Sequence, residues 1–292
     1  MNHFIRKTRL PLKFGLIGKP VEHSLSPLMM NTVFNELKIN AIYVAFEVDE
    51  SQFQDAIKGL SALKFSGFNV TIPYKEKIIE FCDSIGKKAS IVNAVNTVKI
   101  IDGECLKCYN TDVDGVVATF KRRGIDTKGM ETLIIGAGGA AKSLIIAFDM
   151  LGIKKIFILN RTKTRALMLA KLLQSRIDAK IVIPDDEIEN IIKEVDIIAN
   201  ATPVGMYPNI HECPLPETFI LKDHIVFDVV YNPIETKLLK LARKKGAVAV
   251  SGVDMLVYQG AATVRIWLNV DPPIEKMRKV VINKLRGWYN QS

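Results

Sequence analysis

The sequence predicts an α/β fold in two domains, one built on a mixed sheet and one on a doubly wound parallel sheet. Three observations carry this. Short apolar strand segments alternate with helical stretches along most of the chain. An Asp-Gly turn at 102–103 joins two strand-like segments directly, which brings antiparallel pairing into the first half. In the second half an apolar strand runs straight into a glycine-rich turn and a helix, "ETLIIGAGGAAKS".

The elements follow in order. "KFGLIG" (13–18) is an apolar strand. "SPLMMNTVFNELK" (26–38) is a helix, with Ser26 as N-cap and Pro27 at the first helical position. "AIYVAFEV" (41–48) is a strand rich in β-branched and aromatic residues, and "ESQFQDAIKGLSAL" (50–63) has helical apolar spacing. "GFNVTI" (67–72) is a strand that Pro73 stops, with Asn69 and Thr71 alternating onto one face. Two short helical stretches precede the hairpin "AVNTVKII-DG-ECLKCYN" (94–110).

The second domain opens near residue 113 with the helix "DGVVATFKRRG" (114–124). Strand 131–136, helix 139–151, strand 155–160, helix 162–174, strand 180–184, a short helix and strand 196–202 follow. After a loop come strand 224–230, helix 236–245 and strand 247–252. This alternation is the pattern of a Rossmann-type sheet. Residues 254–292 read as two helices with no strand, able to pack on either domain.

Composition sets bounds on function. The chain has 292 residues, 48% hydrophobic and 24% charged, enough for a buried core in each domain. No apolar run approaches the ~20 residues of a membrane span, and no signal peptide is evident, so a cytoplasmic location is expected. The formal net charge is +9, but the basic residues are scattered and not interleaved with aromatic ones. That excludes a base-stacking platform and suits an anionic ligand. Cys82 and Cys213 stand alone, and Cys105 and Cys108 lie three apart on a strand, on opposite faces, with nothing to complete a metal set. No metal is expected. The patterns of zinc hydrolases, serine hydrolases and phosphate-loop nucleotide hydrolases are absent.

The glycine turn holds Gly136, Ala137, Gly138, Gly139 and Ala140 between a strand and a helix. Glycines let the backbone approach a pyrophosphate, and the helix start supplies free N–H groups. Where an NAD site ends the next strand with a carboxylate, this chain has Asn160, followed by Arg161, Thr162, Lys163 and Arg165. A guanidinium binds a 2′-phosphate that a carboxylate would repel, so the expected cofactor is NADP. In the first domain Ser24 and Ser26 sit at a helix start suited to a carboxylate. Asn69, Thr71, Lys75, Asn96, Asn110 and Asp112 lie near strand ends. A lysine and an aspartate that meet in a cleft can serve as an acid–base pair.

Taken in order, "GKPVEHSLSP", "GFNVTIPYK", "AVNTV", "YNTDVDG", "GAGGAAK", "NRTKTR", "NATPVGM", "DVVYNP" and "GVDMLVYQGA" resemble the shikimate dehydrogenases over nearly the whole length. The resemblance implies reversible NADPH-dependent reduction of 3-dehydroshikimate to shikimate, in aromatic amino-acid biosynthesis. It implies that Ser24 and Ser26 bind the substrate carboxylate with help from Tyr231, and that Asn69, Thr71, Asn96 and Gln259 hold ring hydroxyls. Lys75 and Asp112 become the catalytic pair. Gly136–Ala140 become the glycine loop, and Asn160, Arg161, Thr162 and Arg165 the 2′-phosphate clamp. Thr202, Val229, Gly252 and Met255 become neighbours of the nicotinamide half. The last helices are expected to return to the first domain, giving a substrate domain of 1–112 plus 253–292 and an NADP domain of 113–252. Met30, Val113 and Val264 depart from residues frequent in the family. A small-molecule substrate is the expected partner, with no nucleic acid and no membrane, for a monomer or homodimer. Three other readings stay open: a relative that accepts quinate, a non-catalytic nucleotide-binding sensor, and a nucleic-acid-binding role resting on the +9 charge alone.

Overall fold

The structure, a computed structural model, describes residues 10–183 and 188–289. The expected strand end at Pro184, and residues 1–9 and 290–292 of the expected first domain, lie outside them. The chain divides into two compact units. Of the described residues, the first holds those up to Thr111 together with Gln259–Asn283, and the second holds those from Asp112 to Tyr258 together with those from Lys284 to Tyr289.

The first unit carries strands β1 (Leu12–Gly18), β2 (Ala41–Glu47), β3 (Gly67–Val70), β4 (Ser84–Ile85), β5 (Thr97–Ile101) and β6 (Cys105–Tyr109). Their spatial order is β2-β1-β3-β5-β6-β4. β1 pairs in parallel with β2 and β3, while β5 is antiparallel to β3 and β6, so the sheet is mixed. Helices α1 (Ser26–Glu36), α2 (Phe53–Ala62) and α3 (Lys87–Val92) belong to it. α2 buries Phe53, Ile57 and Leu60, one stripe at helical spacing. Phe53 stacks on Tyr74 with ring centroids 4.4 Å apart.

Four local readings need correction. Ser26 is the first helical residue and Leu25 the N-cap, so Pro27 falls one place further in. β3 stops at Val70, two residues short of the expected end. β4 was not expected. It is two exposed residues that pair only with β6, too short for a periodic signal. Cys82 is not alone: it forms a disulfide with Cys108.

The second unit begins with α4 (Asp112–Arg122) and continues β7 (Glu131–Ile135), α5 (Gly139–Met150), β8 (Lys155–Leu159), α6 (Lys163–Leu173), β9 (Lys180–Val182), α7 (Ile188–Glu194) and β10 (Ile197–Asn200). Then come β11 (Ile225–Asp228), α8 (Lys237–Lys244) and β12 (Val248–Ser251). Of the last two helices, α9 (Gly252–Leu268) and α10 (Ile274–Tyr289), the second unit holds only the start of α9, through Tyr258, and the end of α10, from Lys284; the rest belongs to the first unit. The strand order is β12-β11-β10-β7-β8-β9, and all pairings are parallel. The winding reverses beside β7, the switch point where such sheets bind ligands beyond their C-terminal strand ends. β10 and β11 are buried at every residue, which is why each reads as an apolar run up to its last position, Asn200 in β10 and Asp228 in β11. Among the described residues no helix is long and apolar enough to cross a membrane.

Candidate functional site

The first unit gathers polar groups around the ends of its strands. The Ser26 N–H donates to Ser24 Oγ at 3.2 Å. The Ser26 hydroxyl bonds to that of buried Tyr43. Burial holds the Tyr43 phenol above its ordinary range, so it stays protonated. The N-cap Leu25 makes no side-chain cap bond, so Ser24 is the side chain that meets the helix start, and the two serine hydroxyls stand together there as a carboxylate site would need.

Tyr43 Oη donates to Asn69 Oδ1 at 2.8 Å. The Asn69 amide nitrogen donates to the Asn96 carbonyl at 2.9 Å and to Thr97 Oγ1 at 3.0 Å. Both amide protons of Asn69 are therefore engaged within the unit. Asn96 Oδ1 accepts from the Thr111 N–H at 2.7 Å, and its nitrogen donates to Thr111 Oγ1 at 2.9 Å. Thr111 and Thr263 then reach Gln259, on its Oε1 at 3.4 Å and its carbonyl at 3.1 Å. The network brings Ser26, Asn69, Asn96 and Gln259 together.

Lys75 lies in the turn after β3, half-buried. Thr71, just past the strand end, donates its N–H to the Ile17 carbonyl at 2.8 Å and accepts from the Tyr74 N–H at 2.9 Å. The Lys75 carbonyl accepts from the Val95 N–H at 2.7 Å. Asp112 is buried in the second unit as the first residue of α4, where the helix dipole favours a carboxylate.

The second unit carries the glycine turn. Gly136 has φ +115°, and a Cβ there would lie 3.0 Å from Thr202 Cγ2, so glycine is required. A Cβ at Gly138 or Gly139 would meet nothing within 4 Å. Gly138 caps α5 without a side-chain bond, so open space lies at a helix start with free N–H groups. Asn160 follows the end of β8, one residue short of the expected strand, and donates to the Thr162 carbonyl at 2.9 Å, while Arg161, Thr162 and Arg165 are exposed at the start of α6. An open glycine turn with cations at the next strand end fits a phosphorylated dinucleotide. Thr202 donates to Asn200 Oδ1 at 2.6 Å, and a Cβ at Gly252 would lie 2.4 Å from the Val229 carbonyl oxygen. Met255 lies in the first turn of α9, and Tyr231 follows the end of β11, half-buried. Among the described residues no three His, Cys, Asp or Glu side chains gather as a metal would need.

Several residues in these networks were missed from the sequence: Tyr43, Thr97, Thr111 and Thr263 in the first unit, Asn200, Asp228 and Thr236 in the second. A signal existed for Asn200 and Asp228, polar residues that close apolar strands. Tyr43 offered none, because a buried tyrosine in a strand reads as ordinary core.

Comparison with known proteins gives consistent matches along the chain. Residues 16–98 match the family described as shikimate dehydrogenase substrate binding domain. Residues 119–210 match shikimate / quinate 5-dehydrogenase, and residues 252–282 the shikimate 5′-dehydrogenase C-terminal domain. A relative named shikimate dehydrogenase (NADP(+)), from Methanopyrus kandleri, is 43% identical over 93% of this chain and 95% of its own. A crystal structure of a shikimate dehydrogenase in complex with NADP+ superposes with a TM-score of 0.88 at 40% identity, covering 94% of this chain and 96% of that one. Shikimate 5-dehydrogenase from Thermus thermophilus, in complex with NADP(H) and shikimate, gives a TM-score of 0.84 at 32% identity over 93% of this chain and 99% of its own. With relatives this similar matched from end to end, the chain belongs to the shikimate dehydrogenase family.

Proposed function

We propose that this chain catalyses the reversible, NADP-dependent reduction of 3-dehydroshikimate to shikimate. The observation that carries the reading is the match to a relative named for that activity over more than nine-tenths of both chains. The open glycine turn and the basic end of β8 support it from the chain's own geometry.

In this reading the first unit receives the substrate and the second the cofactor. Ser24 and Ser26 bind the carboxylate, with Tyr231 assisting. Thr71, Asn96 and Gln259 bind ring hydroxyls. Asn69 supports them from behind, since its amide protons are engaged by Asn96 and Thr97. Gly136–Ala140 face the pyrophosphate, and Asn160, Arg161, Thr162 and Arg165 the 2′-phosphate. Thr202, Val229, Gly252 and Met255 flank the nicotinamide half. When bound, NADPH supplies the hydride. Lys75 gives a proton from its ammonium to the carbonyl oxygen during reduction and takes it back during oxidation. Asp112 acts as a carboxylate that orients the lysine and the substrate hydroxyl.

The test follows NADPH absorbance with shikimate and quinate, each offered with NADP+ and NAD+. Shikimate with NADP+ should give the highest kcat/KM. A preference for quinate would transfer the chain to that activity. No turnover in any arm would leave the sensor reading in its place.

A further inference from the structure

Asn200 and Asp228 are register partners at the last positions of the neighbouring parallel strands β10 and β11. Neither has any exposed surface. The Asp228 carboxylate accepts three hydrogen bonds. Oδ1 takes one from Asn200 Nδ2 at 2.9 Å and one from the Val230 N–H at 3.0 Å, and Oδ2 takes one from Thr236 Oγ1 at 2.6 Å. Asn200 passes the connection on. Its Oδ1 accepts from the Thr202 N–H at 3.0 Å and the Thr202 hydroxyl at 2.6 Å. Thr202 Oγ1 in turn accepts from the Val204 N–H at 3.2 Å. One buried carboxylate thus fixes two loops, 201–205 and 229–236, at the C-terminal edge of the sheet.

A carboxylate is an expensive way to join two strands. Its desolvation is offset only in part by three neutral donors, and apolar packing would join the strands at less cost. What the acid supplies is direction. It sets the rotamer of Asn200, and Asn200 sets both the backbone and the hydroxyl of Thr202. It also holds the Val230 N–H, next to Val229, whose carbonyl oxygen leaves room for nothing larger than Gly252 at the start of α9. The adenosine-side residues Asn160–Arg165 follow β8, which is separated from β11 by β7 and β10.

We infer that Asp228, acting through Asn200, is a positioning residue for the nicotinamide end of the cofactor site: it fixes Thr202 and Val229 in the pose that receives the ring. This rests on the reading of Thr202, Val229, Gly252 and Met255 as the nicotinamide neighbours. It adds an acid that touches neither substrate nor cofactor and governs only one end of the dinucleotide.

The test compares the two ends in Asp228→Asn and Asn200→Ala. The probes are adenosine 2′,5′-bisphosphate, which occupies only the adenosine end, and NADP+, both titrated by calorimetry, with steady-state kinetics alongside. Small displacements at a reacting centre cost up to about a hundredfold in rate. Each variant should lose about tenfold or more in kcat/KM for NADP+, while its Kd for the bisphosphate stays within about twofold of the parent. A role in stability alone would weaken both ends together, and that result overturns the inference. So does unchanged NADP+ kinetics in Asp228→Asn, which keeps the shape of the side chain and serves if Asn200→Ala does not fold. Thr202→Val separates the two layers. If it too leaves the kinetics unchanged, the nicotinamide assignment fails along with the inference. If Thr202→Val is impaired and the other two variants are not, only the positioning role falls.

Discussion

Arg123 closes on Asp254 with two guanidinium nitrogens, Nε at 3.1 Å and Nη2 at 2.6 Å, and both meet the same carboxylate oxygen. Asp254 is buried in the first turn of α9, and Arg123 follows the end of α4. Arg123→Ala removes the cation and leaves a carboxylate out of water. Breaking a fully buried pair costs about 3–5 kcal/mol. Arg123 keeps a third of its side chain exposed, so screening lowers the expected loss to about 2 kcal/mol. Urea unfolding measures it. Adding Asp254→Ala should cost less than the sum of the two single changes, because the pair acts as one.

The Cys82–Cys108 disulfide spans 26 residues of sequence. It ties the end of the 3₁₀ turn at Lys77–Phe81 to the penultimate residue of β6, beside the Asp83 carboxylate that accepts the Leu106 N–H at 2.7 Å. Loop-closure entropy for that length gives about 3.5 kcal/mol of stabilisation. A dithiol reductant should therefore lower the urea midpoint of the parent and leave that of Cys82→Ser unchanged. Equal shifts in both proteins would mean that the bond carries no such weight.

The parallel sheet was legible in the sequence because its inner strands β7, β10 and β11 are buried on both faces and need only be largely apolar. The glycine turn was legible because Gly136 and its neighbours lie next to one another in the chain. What escaped was lateral. Asn200 and Asp228 meet only because β10 and β11 align in register, and Cys82 meets Cys108 only because β4 adds itself to β6. Tyr43 escaped for a different reason. Its ring is core, and only the partner of its hydroxyl distinguishes it from any other buried aromatic residue.

Two buried groups give stability opposite dependences on pH. Burial pushes the Asp228 carboxyl from 3.8 up to about 6. The stability it contributes is full below about pH 4 and is lost as pH rises through 6, a change of about 3 kcal/mol. His224 accepts the Leu221 N–H on Nδ1 at 3.1 Å, so its proton sits on Nε2, directed to the Ile192 carbonyl at 3.0 Å. Burial lowers its pKa, so its contribution is full above the ordinary 6.5 and is lost as pH falls below it. Asp228→Asn removes only the first effect. Relative to the parent, its unfolding free energy should rise between pH 4 and 7, and a difference independent of pH would refute the assignment.

Cofactor choice should respond to Asn160. Its amide donates to the Thr162 carbonyl at 2.9 Å and so shapes the turn that leads to Arg165. Asn160→Asp loses that donor and places a negative charge where a 2′-phosphate is expected. One like charge at close range is worth about 1–4 kcal/mol. The kcat/KM for NADP+ should fall by about tenfold or more, while that for NAD+ should change by less than about threefold. A parallel fall with both cofactors would point to damage in the turn rather than to recognition of the phosphate.

Lys75 and Lys77 are two residues apart and should behave differently. Lys77 pairs with Glu50 at 3.3 Å, both partly exposed, and an ion pair of that kind contributes under about 1 kcal/mol. Lys75 belongs to a turn pinned on both sides. Tyr74 before it is buried and donates its hydroxyl to the Val48 carbonyl at 2.6 Å, and the carbonyl of Lys75 itself accepts from the Val95 N–H at 2.7 Å. A side chain launched from so fixed a backbone loses little further entropy when it takes up a working position. Lys75→Ala should lower kcat by about 10²–10⁴, the usual worth of a general acid–base group, with shikimate affinity changed only several-fold. Lys77→Ala should leave kcat within about twofold of the parent. A small fall in kcat for Lys75→Ala, or equal falls for the two lysines, would remove Lys75 as the proton donor.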